Sequence, residues 1–159
     1  MADLHFNVAG TGLNATSLAG RTRTFTTLVD EPEELGGKDA APNPVEYILL
    51  GYAGCLNVVL NLVAKEKGIP INNLRINIGG DINPDRLLGT SNAERAGFKG
   101  FDVNVEIDSD ASSEELDDLI REAEGRCPVN DTLSNPTPIR LQYVEAGNAG
   151  RHQPALAAA

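Results

Sequence analysis

Residues 47–64, "YILLGYAGCLNVVLNLVA", carry no charged side chain. Pro44 stands just ahead of them, and Lys65, Lys67 and Gly68 just behind. Proline suits a first helical turn, while lysines suit the last turn and glycine the residue after it. A helix from Pro44 to Gly68 is the expectation. Val45, Ile48, Leu49, Tyr52, Leu56, Val59, Leu60 and Val63 recur at helical spacing on one stripe. Tyr47, Leu50, Val58 and Leu62 lie on other faces and are also apolar. A helix that is apolar nearly all round must be buried nearly all round.

A membrane span is the first alternative for such a run. It is set aside because Asn57 and Asn61 interrupt the run, Gly51 and Gly54 dilute it, and no Lys/Arg cluster precedes it to fix an orientation. The remaining way to bury the helix is against protein. A single chain of 159 residues with 4% aromatics and no Trp has little to wrap it with. A second copy of the chain is therefore the expected cover, making the protein a homodimer.

Around this helix the pattern is α+β. "LHFNVAG" alternates, "TGLNA" reads as a turn, and "RTRTFTTLV" reads as a Thr-rich strand. On one strand, Arg21, Arg23, Phe25, Thr27 and Val29 would share a face. "DEPEELGGKDAAPNP" reads as a loop. After the helix come a strand in "INNLRINIGGDI", a polar loop over 83–97, and a strand in "FKGFDVNVEID". "SSEELDDLIREAEGR" reads as an amphipathic helix, with Ser112 and Glu115 as a capping box. Its apolar stripe is Leu116, Leu119, Ile120 and Ala123. "CPVNDTL" opens a short helical turn, and "IRLQYVEA" reads as a last strand. The whole is one domain over residues 1–146, with 147–159 as a disordered tail.

The formal net charge of −10 excludes nucleic acid as a natural partner and disfavours anionic membranes. The start of the chain lacks a basic segment and an apolar core, and two cysteines do not make a disulfide framework. A cytoplasmic setting with reduced thiols is the expectation. His5 and His152 stand far apart, so neither a metal site nor a bound cofactor is expected.

Cys55 sits in the middle of the apolar helix. Taken alone it reads as a small buried hydrophobe, with a raised pKa and little reactivity. Cys127 precedes Pro128, which places it at a helix N-cap. There it would face unpaired backbone N–H groups, a setting that favours thiolate, or would serve as a cap and nothing more. No CxxC motif is present.

"NPVEYILLGYAGC" followed by "CPVNDTL" resembles the OsmC/Ohr family of osmotically inducible and organic hydroperoxide resistance proteins. "VDEPEELGGKDAAPNPVEYILLGYAGCLNVVLNLVAKEKGI" is most similar to its OsmC-like branch, and "ERAGFKGFDVNVEID" fits the same pattern. The resemblance spans about residues 18–145. It implies an intertwined homodimer with the two central helices buried between sheets. It implies a thiol peroxidase for organic hydroperoxides, re-reduced by an external dithiol of lipoyl type. Cys55 matches the peroxidatic position and Cys127 the resolving one. Arg23 matches the arginine that activates the first cysteine, with Arg21 as the alternative.

One position departs from the pattern. Better-known peroxidases of the family carry a carboxylate where this chain has Val45, and Glu46 follows one residue later. On a straight helix Glu46 and Cys55 stand about 13 Å apart along the axis. Glu46 therefore either reaches a second copy's site or serves the helix N-terminus. Three functions stay open on these residues: a peroxidase, a binder of an apolar ligand, and a thiol redox sensor.

Overall fold

The computed structural model describes residues 2–144. The element order is β1 (Ala9–Gly12), β2 (Leu18–Thr22), β3 (Phe25–Val29), a 3-10 turn (Glu33–Leu35), α1 (Pro44–Lys67), β4 (Asn73–Gly79), β5 (Asp102–Asp108), α2 (Ser113–Arg126) and α3 (Pro128–Ser134). The fold is α+β, as the pattern predicts. The expected tail at 147–159 lies outside the described residues.

Helix α1 runs between the signals that predict it. Asn43 is its N-cap: its side chain accepts from the Glu46 backbone N–H at 2.9 Å, and the Glu46 carboxylate accepts from the Asn43 backbone N–H at 2.8 Å. At the far end Gly68 adopts φ 71°, a left-handed conformation that glycine takes at no steric cost. Tyr52, Leu56, Val59, Leu60, Val63 and Ala64 form its buried stripe. They pack on Leu119 and Ala123 of α2, with Leu74, Ile76, Ile78, Val105 and Ile107 of the β4–β5 hairpin closing the core. Leu60, Val63 and Leu119 are fully buried, and each such side chain contributes about 1.5–3 kcal/mol. Among the described residues α1 is the one helix long and apolar enough to cross a membrane. That stripe is instead the centre of the protein core.

Strands β4 and β5 pair antiparallel from Asn73↔Asp108 to Gly79↔Asp102. Helix α2 has the expected capping box between Ser112 and Glu115. Its last turns are tied to α1 by Arg126–Glu66 at 2.6 Å and Lys67–Glu122 at 2.9 Å. These pairs are exposed, and each contributes little on its own.

Three expectations for strands are corrected. The first strand is Ala9–Gly12 and not "LHFNVAG": Leu4, Phe6 and Val8 stand exposed before it, and Thr11 and Gly12 of the expected turn belong to it. Residues 21–29 are not one strand. β2 and β3 form a hairpin in which Thr22 pairs with Phe25, so Arg23 and Thr24 are the two-residue loop. Arg23 takes φ 53° there and its guanidinium lies 5.0 Å over the Phe25 ring. It therefore does not share a strand face with Arg21 and Phe25. The segment 139–144 is not a strand either, because among the described residues no neighbouring strand offers it a ladder; Ile139 and Leu141 are almost wholly exposed. Residues 145 and 146 of that expected strand lie outside the described residues.

The N-terminal sheet has the order β1-β2-β3 and joins α1 through Tyr47, whose hydroxyl donates to the Leu28 carbonyl at 2.7 Å. At its base Asp30 is fully buried. The carboxylate accepts from Ser17 Oγ at 2.7 Å and from the backbone N–H groups of Lys38 and Ala40 at 3.1 and 3.3 Å. The Ser17 hydroxyl and these N–H groups outweigh burial and hold Asp30 far below the usual carboxylate range.

Candidate functional site

Three helices bring the two cysteines together. Cys55 lies in mid-α1, three residues after Tyr52 and four before Val59, at the edge of the buried stripe. Helix α2 crosses α1 and ends at Cys127, where Pro128 forces the chain to turn and start α3. Cys127 is thus both the end of one helix and the N-cap of the next. Its sulfur accepts from the Asn130 backbone N–H at 3.4 Å.

The Cys127 thiol donates to Cys55 Sγ across 3.1 Å, although the residues stand 72 positions apart in the chain. Both are free thiols, Cys127 buried and Cys55 half-buried. A disulfide requires the sulfurs to close to about 2.05 Å. The remaining gap is about 1 Å, within the reach of small side-chain adjustments between mid-α1 and the α2–α3 junction.

Burial is the largest influence on Cys55 and pushes its thiol above the ordinary cysteine value; the hydrogen bond with Cys127 adds to the rise. The Val129 backbone, hydrogen-bonded to the sulfur, pulls the other way. No arginine is among these influences. Arg23 is exposed at the hairpin tip, and Arg21 donates through Nε to the Arg23 carbonyl at 3.4 Å. The structure of one chain does not bring either guanidinium to Cys55. Glu46, with its carboxylate on the Asn43 backbone, stays at the helix N-terminus.

Two further polar residues surround the pair. The Tyr52 hydroxyl donates to Asn130 Oδ1 at 2.7 Å, and Asn130 Nδ2 donates to the Glu124 carbonyl at 3.3 Å. Burial raises the Tyr52 pKa, and the nearby Cys127, Glu124 and Cys55 raise it further. Reading the sequence places Tyr52 in the core stripe and gives Asn130 no role. The signal was available: a tyrosine on a buried stripe needs a hydroxyl partner.

Beyond this clasp lies a cavity of about 460 Å³, lined by Leu56, Leu60, Phe101, Val103, Ile120 and Leu133 among others, with Tyr52 and Asn130 in its wall. Neither sulfur opens into it. The apolar surroundings of Cys55 and this cavity are therefore two separate features. Among the described residues no group of His, Cys, Asp or Glu side chains could hold a metal ion.

Comparison with known proteins adds to this geometry. The model of the OsmC-like protein family matches residues 36–142. The chain is 30% identical over 115 residues to a hydroperoxide reductase of Mycoplasma genitalium, covering 72% of this chain and 76% of that one. It is 26% identical to the organic hydroperoxide resistance protein OhrA of Bacillus subtilis, covering 67% of this chain and 70% of the other. The crystal structure of an OsmC-like protein from Mycoplasma pneumoniae superposes with a TM-score of 0.72 at 25% identity, over 84% of this chain and 89% of that one.

Proposed function

The chain belongs to the family of OsmC-like proteins, and from that premise we propose that it is a thiol-dependent peroxidase that reduces organic hydroperoxides. Its relatives' names, hydroperoxide reductase and organic hydroperoxide resistance protein, support the substrate class. The observation that carries the reading is the 3.1 Å approach of Cys127 Sγ to Cys55 Sγ. A resting pair of thiols at that distance is one adjustment away from a disulfide.

In the proposed cycle the Cys55 thiolate attacks the terminal oxygen of the hydroperoxide. The O–O bond breaks, the alcohol leaves after taking a proton, and Cys55 becomes a sulfenic acid. The Cys127 sulfur then attacks the Cys55 sulfur. An S–S bond forms, the S–O bond breaks, and hydroxide leaves with the Cys127 proton as water. An external dithiol, for which a lipoyl group is the proposed type, reduces the disulfide and is itself oxidised. Because burial raises the Cys55 pKa, the thiolate needs a cation. Arg23 is the proposed source, with Arg21 as the alternative, delivered by the hairpin of a second copy. The Glu46 carboxylate is assigned to the helix cap.

Peroxide-treated protein analysed by mass spectrometry tests the cycle. Wild type should show the Cys55–Cys127 disulfide. Cys55→Ser should consume no cumene hydroperoxide beyond background. Cys127→Ser should consume about one equivalent and hold a sulfenic acid on Cys55, which excess peroxide overoxidises. Free thiols in treated wild type would overturn the peroxidase reading. The separate apolar cavity favours a second reading, binding of an apolar ligand. Ligand that co-purifies, without peroxide turnover, would mark it.

A further inference from the structure

We propose that Tyr52 and Asn130 are positioning residues that set the distance between the two sulfurs. The proposal rests on the cysteine pair named above as redox-active, but its test does not require peroxide.

The two cysteines are held by different elements. Cys55 belongs to the middle of α1, whereas Cys127 stands where α2 gives way to α3, its backbone N–H donating to the Glu124 carbonyl at 3.3 Å and its carbonyl accepting from the Asp131 N–H at 3.0 Å. Val129 and Leu133 pack α3 on the core, and the Tyr52 hydroxyl adds a directional tie from α1. It leaves α1 one turn before Cys55 and ends on Asn130 Oδ1 at 2.7 Å. Asn130 is in turn the residue whose backbone N–H reaches Cys127 Sγ, and its side-chain amide reaches back to the Glu124 carbonyl in the last turns of α2. One asparagine thus joins α1, the end of α2 and the N-cap sulfur of α3.

The tyrosine is itself aimed. Its ring meets Phe101 edge-on at 6.3 Å and 71°, and Phe101 packs on Phe98 at 4.8 Å. This geometry favours a fixed hydroxyl direction. The clasp spans the cysteine pair at a spacing of three residues on each side: Tyr52 to Cys55 on α1, and Cys127 to Asn130 on α3. Residues three apart share a helix face, so clasp and sulfur pair form two adjacent rungs between the same two helices. Shortening or lengthening one rung changes the other.

Holding two thiols at a fixed approach raises their effective concentration towards each other. The equilibrium with glutathione reads this directly. Two protein thiols exchange with one glutathione disulfide, giving the Cys55–Cys127 disulfide and two glutathione thiols. The ratio of oxidised to reduced protein in buffers of known composition gives the effective concentration. Tyr52→Phe removes one hydroxyl and keeps the ring, so the aromatic packing stays. It should lower the effective concentration about threefold to tenfold, the range of one hydrogen bond. Asn130→Ala should lower it at least as far, and Tyr52→Phe added to Asn130→Ala should lower it no further, because both remove the same bond. Leu119→Val, a core change in α2 away from the clasp, should lower thermal stability and leave the effective concentration as in wild type.

Tyr52→Phe with an unchanged equilibrium would overturn the inference. So would full additivity of the two variants, or a shift in Leu119→Val as large as in Tyr52→Phe. Wild type that forms no disulfide even in oxidised glutathione would also overturn it. If wild type forms the disulfide in glutathione but not with hydroperoxide, and the variants behave as stated, the positioning role stands and the peroxidase reading falls.

Discussion

At Cys55 burial and reactivity oppose one another. A thiol pushed above the ordinary value of about 8.5 is mostly protonated at neutral pH, and the thiol form is a poor nucleophile. The thiolate fraction of an isolated chain rises with pH through that raised pKa, so alkylation by iodoacetamide should still be accelerating above pH 8.5. If a second copy's Arg23 supplies the missing charge, Arg23→Ala should slow alkylation of Cys55 at pH 7 roughly tenfold, the effect of one pKa unit. Arg21→Ala should do less. Equal, unchanged rates in both variants would remove the arginines from the mechanism. Sequence alone places Cys127 well, because Pro128 marks a helix start. It misplaces Arg23, because a two-residue hairpin loop normally announces itself with Gly, Asn or Asp, and here it holds Arg and Thr. The contact between Cys55 and Cys127 was legible only through the family resemblance; periodicity says nothing about two residues 72 positions apart.

Elements with strong end signals were legible, and those that depend on a distant neighbour were not. Helix α2 starts at a capping box visible in the sequence, and α1 runs from the first-turn Pro44 to the terminating Gly68. Ser112→Ala, which removes the α2 cap, should cost about 1 kcal/mol in urea unfolding. A change below about 0.3 kcal/mol would show the cap to be idle. Segment 139–144 alternates like a strand but finds no partner strand among the described residues. Asp30 is a third case: its buried lock on Ser17, Lys38 and Ala40 could not be read from a loop full of acidic residues. Its pKa is depressed on folding, so the ionised form contributes stability that is fully present above the unfolded value near 3.8. That contribution is lost as pH falls through the lower folded value. Asp30→Asn should therefore melt below wild type at pH 7, and the gap should narrow once the pH falls below about 3.8. A gap independent of pH would show that charge is not what the site uses.

At the scale of the whole molecule, the face of α1 opposite its core stripe is the unresolved demand. Leu50, Val58 and Leu62 are 61%, 63% and 46% exposed in one chain, on the helix that carries no charge from Tyr47 to Ala64. Leaving such a strip in water forgoes about 25 cal/mol for each Å² that a partner could cover. Each copy carries a charge of −10, so a second copy gains nothing from charge at the rims and must be held by the apolar strip. A second copy meeting this one face to face along α1 would need only the apolar strip at its centre, where Gly51 and Gly54 allow close approach of two helices. On the proposed reading, such a copy is also the source of the hairpin arginine for Cys55, since one chain does not bring its own there. Assembly and thiol activation are then one property. Wild type should sediment with the mass of two chains at micromolar concentration. Val58→Glu, which sets two carboxylates against each other at the seam, should sediment as one chain or fail to fold. Leu50→Ser, a milder change, keeps the test open if it does. A Leu50→Ser protein that is folded and monomeric should also alkylate Cys55 as slowly at pH 7 as Arg23→Ala does. Wild type that sediments as a folded single chain would overturn the dimer. A monomeric variant with undiminished Cys55 reactivity would separate the arginine from the partner.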